Sequence, residues 1–194
     1  MACFNGKHGS RRRRYKLHNP TCSIRRARLN DLAFLPAIEL AAARLLAGYA
    51  PESVLTETTD LRTFAEAANI GRLWIAASGD QAVGFGLVTM LTEDLPHLEE
   101  LDVHPSYGRR GLGSALVRTI CHWATASRFA LLTLTTFRYP PWNYPFYSRL
   151  GFTEIPRDAI HPELMAVVSE EAHKGLDPNL RAVMAYRCMQ PSSE

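Results

Sequence analysis

The chain has 194 residues, 46% hydrophobic and 21% charged, which suits one core of ordinary size and requires no second domain. Its apolar runs, such as Ala37–Ala50, are broken by Glu39 and Arg44 and fall short of the ~20 residues of a membrane span, and the N-terminus lacks the apolar stretch of a secretory signal; a cytoplasmic protein without membrane association is expected. The net charge of +3 is uneven: residues 1–22 carry Lys7, Arg11, Arg12, Arg13, Arg14 and Lys16 without an acid, leaving 16 basic and 19 acidic side chains, a charge of −3, elsewhere.

This basic arm has no periodicity with which to bury itself and is expected to stay disordered. Nucleic acid is expected as a partner only through it. Cys3, Cys22, Cys121 and Cys188 show neither a CxxC nor a metal-ligand spacing with His, so buried or idle thiols are expected rather than disulfides or metal ligands. A folded domain is predicted over 23–190, with 191–194 as a tail.

In chain order, Ser23–Ala27 reads as an edge strand. Asn30 and Asp31 start a helix whose regular part is delayed by Pro36, with Leu35, Ile38, Ala42, Leu45 and Leu46 as its inward stripe. A second helix is predicted over Thr59–Asn69, with Leu61, Phe64, Ala65 and Ala68 inward. Leu73–Ala77 and Ala82–Leu91 form a hairpin through Ser78-Gly79-Asp80, followed by a turn over Glu93–Pro96. The next strand breaks parity: Leu98 and Leu101 are apolar yet three apart, which predicts a bulge. Then come a glycine-rich turn, a helix buried through Leu112, Ala115, Leu116, Ile120, Trp123 and Ala124, a strand over Ala130–Phe137, a short helix over Trp142–Leu150, a strand over Phe152–Ile155, a helix over Pro162–Lys174 and a closing strand over Arg181–Met189. The order is that of a mixed α/β domain with helices on both faces of one sheet.

The most informative stretch is LEELDVHPSYGRRGLGSALV, residues 98–117. Gly108, Gly111 and Gly113 let backbone N–H groups face a ligand, Arg109 and Arg110 add charge, and the helix start adds its positive end. A diphosphate is the expected guest. No Lys-Ser or Lys-Thr pair follows and the third Rossmann glycine is missing, so neither a nucleoside-triphosphate loop nor a dinucleotide fingerprint fits.

Val103, His104 and Pro105 at the strand end, with Arg110, Gly111, Leu112 and Gly113 in the turn, resemble the acyl-CoA motif of the GNAT superfamily of N-acyltransferases. Gly108 stands where the family has Gln or Arg, with Arg109 beside it. A second motif agrees: Phe146, Tyr147, Ser148, Arg149, Leu150, Gly151 and Phe152 match the family's Phe-Tyr-x-x-x-Gly-Phe. The resemblance covers about residues 23–190 and implies a single-domain GNAT-like fold with a splayed cofactor cleft. It also implies acetyl-CoA as co-substrate and acetyl transfer to a primary amine.

On that resemblance, acetyl-CoA is held by Leu101, Asp102, Val103, Gly108, Arg109, Arg110, Gly111, Leu112, Gly113, Ser114 and Asn143, with N–H groups of Leu101 and Val103 polarising the thioester carbonyl. Tyr147 is either the acid that protonates the departing thiolate or a core aromatic, and the resemblance favours the acid. Glu99 is the expected base and His97 the second candidate. Both are predicted on the face of Leu101 and Val103, with Glu100 and Asp102 opposite if no bulge intervenes. Phe137, Trp142 and Tyr144, in the aromatic stretch 137–147, either line the acceptor pocket or pack beneath the short helix. The expected acceptor is a small-molecule amine with an apolar body, and Glu99 and Glu100 nearby favour a cationic acceptor. A protein lysine or N-terminus, or a non-catalytic acyl-CoA-binding module, is the alternative, and a monomer or homodimer is expected.

Overall fold

The computed structural model describes residues 22–188. The predicted arm, apart from Cys22, and the predicted tail lie outside the described residues. Seven strands form one sheet in the order β1-β2-β3-β4-β5-β7-β6: β1 (Cys22–Arg26), β2 (Leu73–Ser78), β3 (Gln81–Thr92), β4 (Leu95–Val103), β5 (Leu131–Phe137), β6 (Phe152–Glu154) and β7 (Arg181–Arg187). All neighbours are antiparallel except β4 and β5. The chain-final strand β7 lies between β5 and β6 rather than closing the sheet, and β6 is the edge. The helices are α1 (Leu35–Ala43), α2 (Glu52–Thr56), α3 (Leu61–Asn69), α4 (Leu112–Ala126), α5 (Asn143–Arg149) and α6 (Pro162–His173). Among the described residues no helix is long and apolar enough to cross a membrane.

The first helix starts late, as Pro36 requires: a 3-10 turn over Leu29–Phe34 precedes α1. Asp31 fixes that turn by accepting from the Arg28 N–H at 2.7 Å and from both Arg25 Nη atoms at 2.6 and 2.8 Å. The helix ends at Ala43, three residues before the predicted stripe does. Leu45 is therefore exposed, and it lines a cleft together with Leu46 instead of entering the core. In α3, Asp60 caps the Arg62 N–H. Leu61, the first helical residue, is exposed, and Ala67 is buried with Phe64 in its place. The five-residue α2 was not predicted, because one turn carries no periodicity.

Two cores result, one on each face. Leu35, Ile38, Phe64, Leu73, Ile75, Phe85 and Leu87 pack beneath α1 and α3, while Leu98, Leu112, Leu116, Ile120, Leu132 and Met184 pack beneath α4. The α4 face approaches the sheet closely because Gly86 has no side chain; a Cβ there would stand 2.7 Å from Ile120 Cδ1. Strand β4 begins at Leu95, so the predicted turn over Glu93–Pro96 shortens to Glu93 and Asp94. Pro96 is tolerated near the strand start, beside an irregularity at Met90 and Thr92.

Candidate active site

The predicted bulge lies in β4 at Glu99. Leu87 pairs with Glu100 and Val88 with Leu98, so Glu99 is the extra residue. Cross-strand partners share a face. Phe85 and Leu87 belong to the α1/α3 core, which puts their partners Asp102 and Glu100 on that face, whereas Leu98, Leu101 and Val103 face α4. Glu99 accepts from Thr89 Oγ1 at 3.2 Å, and Thr89 pairs with His97. The prediction that Glu99 and His97 share a face with Leu101 and Val103 is therefore corrected. The bulge shifts the phase, and His97, Glu99, Glu100 and Asp102 form one row opposite the leucines.

Beyond His97, β4 and β5 part. His97 with Thr133 is the one register pair that joins them among the described residues. The His104 N–H donates to Val83 O at 2.9 Å, which sets the phase of the β3–β4 ladder: Glu100 and Asp102 bond to β3, and the N–H groups of Leu101 and Val103 point at the gap toward β5. This gap opens into a cleft of about 620 Å³. Phe137, Trp142, Asn143 and Tyr147 line it from the far side.

Tyr147 packs edge-on against Phe146 and Phe152, with centroids 5.0 and 5.8 Å away, and its hydroxyl is not hydrogen-bonded within the described residues. Burial, then the nearby carboxylates of Asp102 and Glu100, push its phenol well above the usual range, so it stays protonated. Trp142 is half exposed at the rim and meets Tyr49 edge-on at 5.6 Å. Tyr144 does not line the cleft. It packs toward the α4 core, near Arg138, so its predicted place in the acceptor pocket is corrected. Phe137 lies beneath the Arg181 guanidinium, 4.5 Å from its ring centre.

His97 is 1% exposed. Its Nδ1 meets Thr133 Oγ1 at 2.9 Å, and that hydroxyl donates its single proton to Pro96 O at 3.1 Å, so Nδ1 carries the imidazole proton and Nε2 keeps the lone pair. Nε2 has no hydrogen-bond partner among the described residues and reaches the cleft surface. Burial lowers the His97 pKa to about 4, and the ring is neutral near pH 7.

The carboxylates are displaced the other way. Burial raises Glu99 and Glu39. Burial, then Asp102, Glu39 and Glu99, raise Glu100 well above the carboxylate range, and burial, then Glu39, push Asp102 up to about 8. Glu39 is held by the Thr59 N–H at 3.0 Å and hydroxyl at 2.9 Å. Its signal was present in the sequence as an acid at an inward position of an apolar helix stripe. Glu171 and Arg181, paired at 2.5 and 3.0 Å, also line the cleft, and no local pattern announces them.

On the α4 side, residues 108–114 form the predicted turn. Arg109 has φ +57 and Gly111 φ +80. The Gly108 N–H donates to Pro105 O and the Ala115 N–H to Gly111 O, while the N–H groups from Arg109 to Ser114 find no acceptor among the described residues. Arg110 turns back, donating to Ser106 O at 3.1 Å and lying 5.2 Å from the Tyr107 ring centre. Consecutive unpaired donors at a helix start fit a diphosphate. Gly113 keeps the flank open toward Phe146 and Val103, which fits the arm of a CoA thioester.

The family model described as the Acetyltransferase (GNAT) family matches residues 40–152. The chain is 29% identical over 144 residues to the amino-acid acetyltransferase of Mycobacterium tuberculosis (strain ATCC 25618 / H37Rv), spanning 73% of this chain and 74% of that protein. Among solved structures, Rv2747 of Mycobacterium tuberculosis in complex with CoA is 25% identical with a TM-score of 0.61, covering 86% of this chain and 99% of that one. The PaiA N-acetyltransferase of Thermoplasma acidophilum in complex with coenzyme A has the same fold, with a TM-score of 0.66 at 15% identity over 86% of this chain and 99% of that one.

Proposed function

The chain belongs to the GNAT acetyltransferase family and uses acetyl-CoA, and from that premise we propose that it moves the acetyl group directly to a primary amine of a small molecule in the cytoplasm. The observation that carries this reading is the parting of β4 and β5, with the Leu101 and Val103 N–H groups on one side and the Tyr147 hydroxyl on the other. The two N–H groups polarise the thioester carbonyl and stabilise the oxyanion; one such preorganised donor is worth on the order of 3 kcal/mol. Residues 108–114 hold the diphosphate through their backbone. The neutral amine adds to the carbonyl carbon; as the tetrahedral oxyanion collapses, the carbon–sulfur bond breaks and Tyr147 gives its proton to the departing thiolate, and the surplus proton of the new amide nitrogen restores the phenol.

Glu99 takes the proton that the ammonium must lose. Its raised pKa brings it nearer to neutral pH, where a base both exists as carboxylate and accepts a proton readily. His97 offers Nε2 as a hydrogen-bond acceptor for the incoming amine rather than as a strong base. A small acceptor is supported by the roof of the cleft: Ser53 Oγ, in α2, donates to Lys174 O, just past α6, at 3.0 Å, and Gly175 packs on Pro51. A peptide backbone would need an open groove there.

The testing experiment is thiol release from acetyl-CoA across a panel of amines, amino acids and peptides, run with the parent and with Tyr147→Phe. Thiol release with small amines that falls in the variant supports the reading. Turnover with peptides alone would assign the protein alternative, and cofactor binding without turnover would leave a binding module.

A further inference from the structure

The bulge at Glu99 does more than re-aim one side chain. It gathers Glu99, Glu100 and Asp102 on a single face of β4, and Glu39 joins them from α1, fixed in place by Thr59. The cationic side chains lining this cleft are Arg181 and Lys174. Arg181 is committed to Glu171 and to Phe137, and Lys174 acts on Glu99 alone of the row. Four carboxylates thus face a cavity with little of the opposite charge built into the protein, and the electrostatic complement has to arrive with a ligand.

A second, independent group asks for the same ligand. His97 is almost wholly buried, its Nδ1 proton is used on Thr133, and Nε2 reaches the cleft as a bare acceptor. Ionised carboxylates and an unprotonated imidazole nitrogen accept hydrogen bonds, and an arriving cation favours the ionised form of the crowded carboxyls, so the row calls for a ligand rich in N–H donors. The rim is apolar and aromatic, with Leu45, Leu46 and Trp142 lining it and Tyr49 packed against Trp142, which suits a hydrocarbon body between polar ends.

We infer that the acceptor carries a second cationic group besides the amine that is acetylated, so that the substrate class is a diamine or longer polyamine, and that amines ending in a carboxylate are rejected. This rests on the acetyl-transfer reading above and adds to it the chemistry of the far end. It also separates this chain from an enzyme for acidic amino acids, whose carboxylates would meet Glu39, Glu99, Glu100 and Asp102 without a matching row of cations. The raised pKa values of Glu100 and Asp102 express the same crowding of like charge, which a bound dication relieves.

The test uses three acceptors of one chain length: 1,5-diaminopentane, 1-aminopentane and 5-aminopentanoate. Acetylation is followed by thiol release and binding by calorimetry. The expected order of kcat/KM is diamine, monoamine, amino acid, with at least a tenfold preference for diamine over monoamine that shrinks as salt is raised. In Glu39→Gln/Glu100→Gln the ratio of diamine to monoamine should collapse toward one, a readout that cancels any general loss of activity. Equal or better use of the monoamine or of 5-aminopentanoate by the parent overturns the inference while leaving acetyl transfer intact. Diamine that binds selectively without being acetylated supports the cation site and sinks the transfer reading instead. Absence of both selective binding and selective turnover overturns the inference.

Discussion

Gly84→Ala adds one methyl where β3 and β4 touch. A Cβ at Gly84 would stand 2.7 Å from the Asp102 carbonyl oxygen, 3.0 Å from Val103 Cγ2 and 3.2 Å from Val103 Cα, whereas ordinary contact begins near 3.4 Å. Two of those three atoms are backbone, so no rotamer relieves the overlap, and Asp102–Val103 must move by about 0.7 Å. Overpacking of this kind costs ~1–3 kcal/mol, and the reduced freedom of the unfolded chain offsets ~0.4–1 kcal/mol. A net loss of about 1–2 kcal/mol lowers Tm by about 2–8 °C in a domain of this size. The displaced segment includes the Val103 N–H, so the Michaelis constant for acetyl-CoA should rise or kcat fall. Gly113→Ala is the matched control. Its Cβ would meet Phe146 Cζ at 3.5 Å and Val103 Cγ2 at 3.9 Å, which are ordinary contacts, so Tm should hold, whereas a bulky residue at Gly113 should weaken acetyl-CoA binding. Thermal melts with and without acetyl-CoA, plus steady-state kinetics, read both. Parental Tm and kinetics in Gly84→Ala would refute the strand-contact reasoning, and parental acetyl-CoA binding with bulky residues at Gly111 and Gly113 together would remove the turn as the cofactor cradle.

Three other outcomes are expected. Tyr147→Phe should lower kcat by about a hundredfold or more with acetyl-CoA affinity unchanged in calorimetry; an unaltered kcat where chemistry limits the rate would leave the ring with a packing role only. Arg181→Met strands the Glu171 carboxylate in a nearly buried place and should cost roughly 3–5 kcal/mol in denaturant melts, largely recovered in Arg181→Met/Glu171→Leu; no recovery would show that the loss is not that of a stranded charge. Asp102, pushed up to about 8 in the folded chain, binds a proton there that the unfolded chain has released above about 4. Stability should therefore fall as pH rises from about 4 to 8, and Asp102→Asn should flatten that fall in melts across the same range.

The sequence carried its own fold where the signal is local. The Ser78-Gly79-Asp80 turn marked the β2–β3 hairpin, Pro36 marked the delayed start of α1, and the glycines at 108, 111 and 113 marked the turn before α4. The spacing of Leu98 and Leu101 announced a bulge but could not locate it, because parity shows that a residue is extra without showing which one. That one missing position reversed the predicted facing of His97 and Glu99, while Glu100 and Asp102 lie opposite Leu101 and Val103 as predicted. The remaining misses are contacts between distant segments: Glu171 with Arg181, Ser53 with Lys174, and β7 entering between β5 and β6. Each depends on topology rather than on neighbours in the chain, and α2 is too short to show a period.

The single rung between His97 and Thr133 divides the sheet mechanically. Strands β1 to β4 form one plate and β5, β7 and β6 another, and among the described residues the plates are joined by that one register pair. On the proposed reading, a thioester arm lying in the gap would act as the mortar between them. Opening that joint would expose the ends of β4 and β5 without unravelling either plate, so substrate occupancy should register first as slowed amide exchange along this seam.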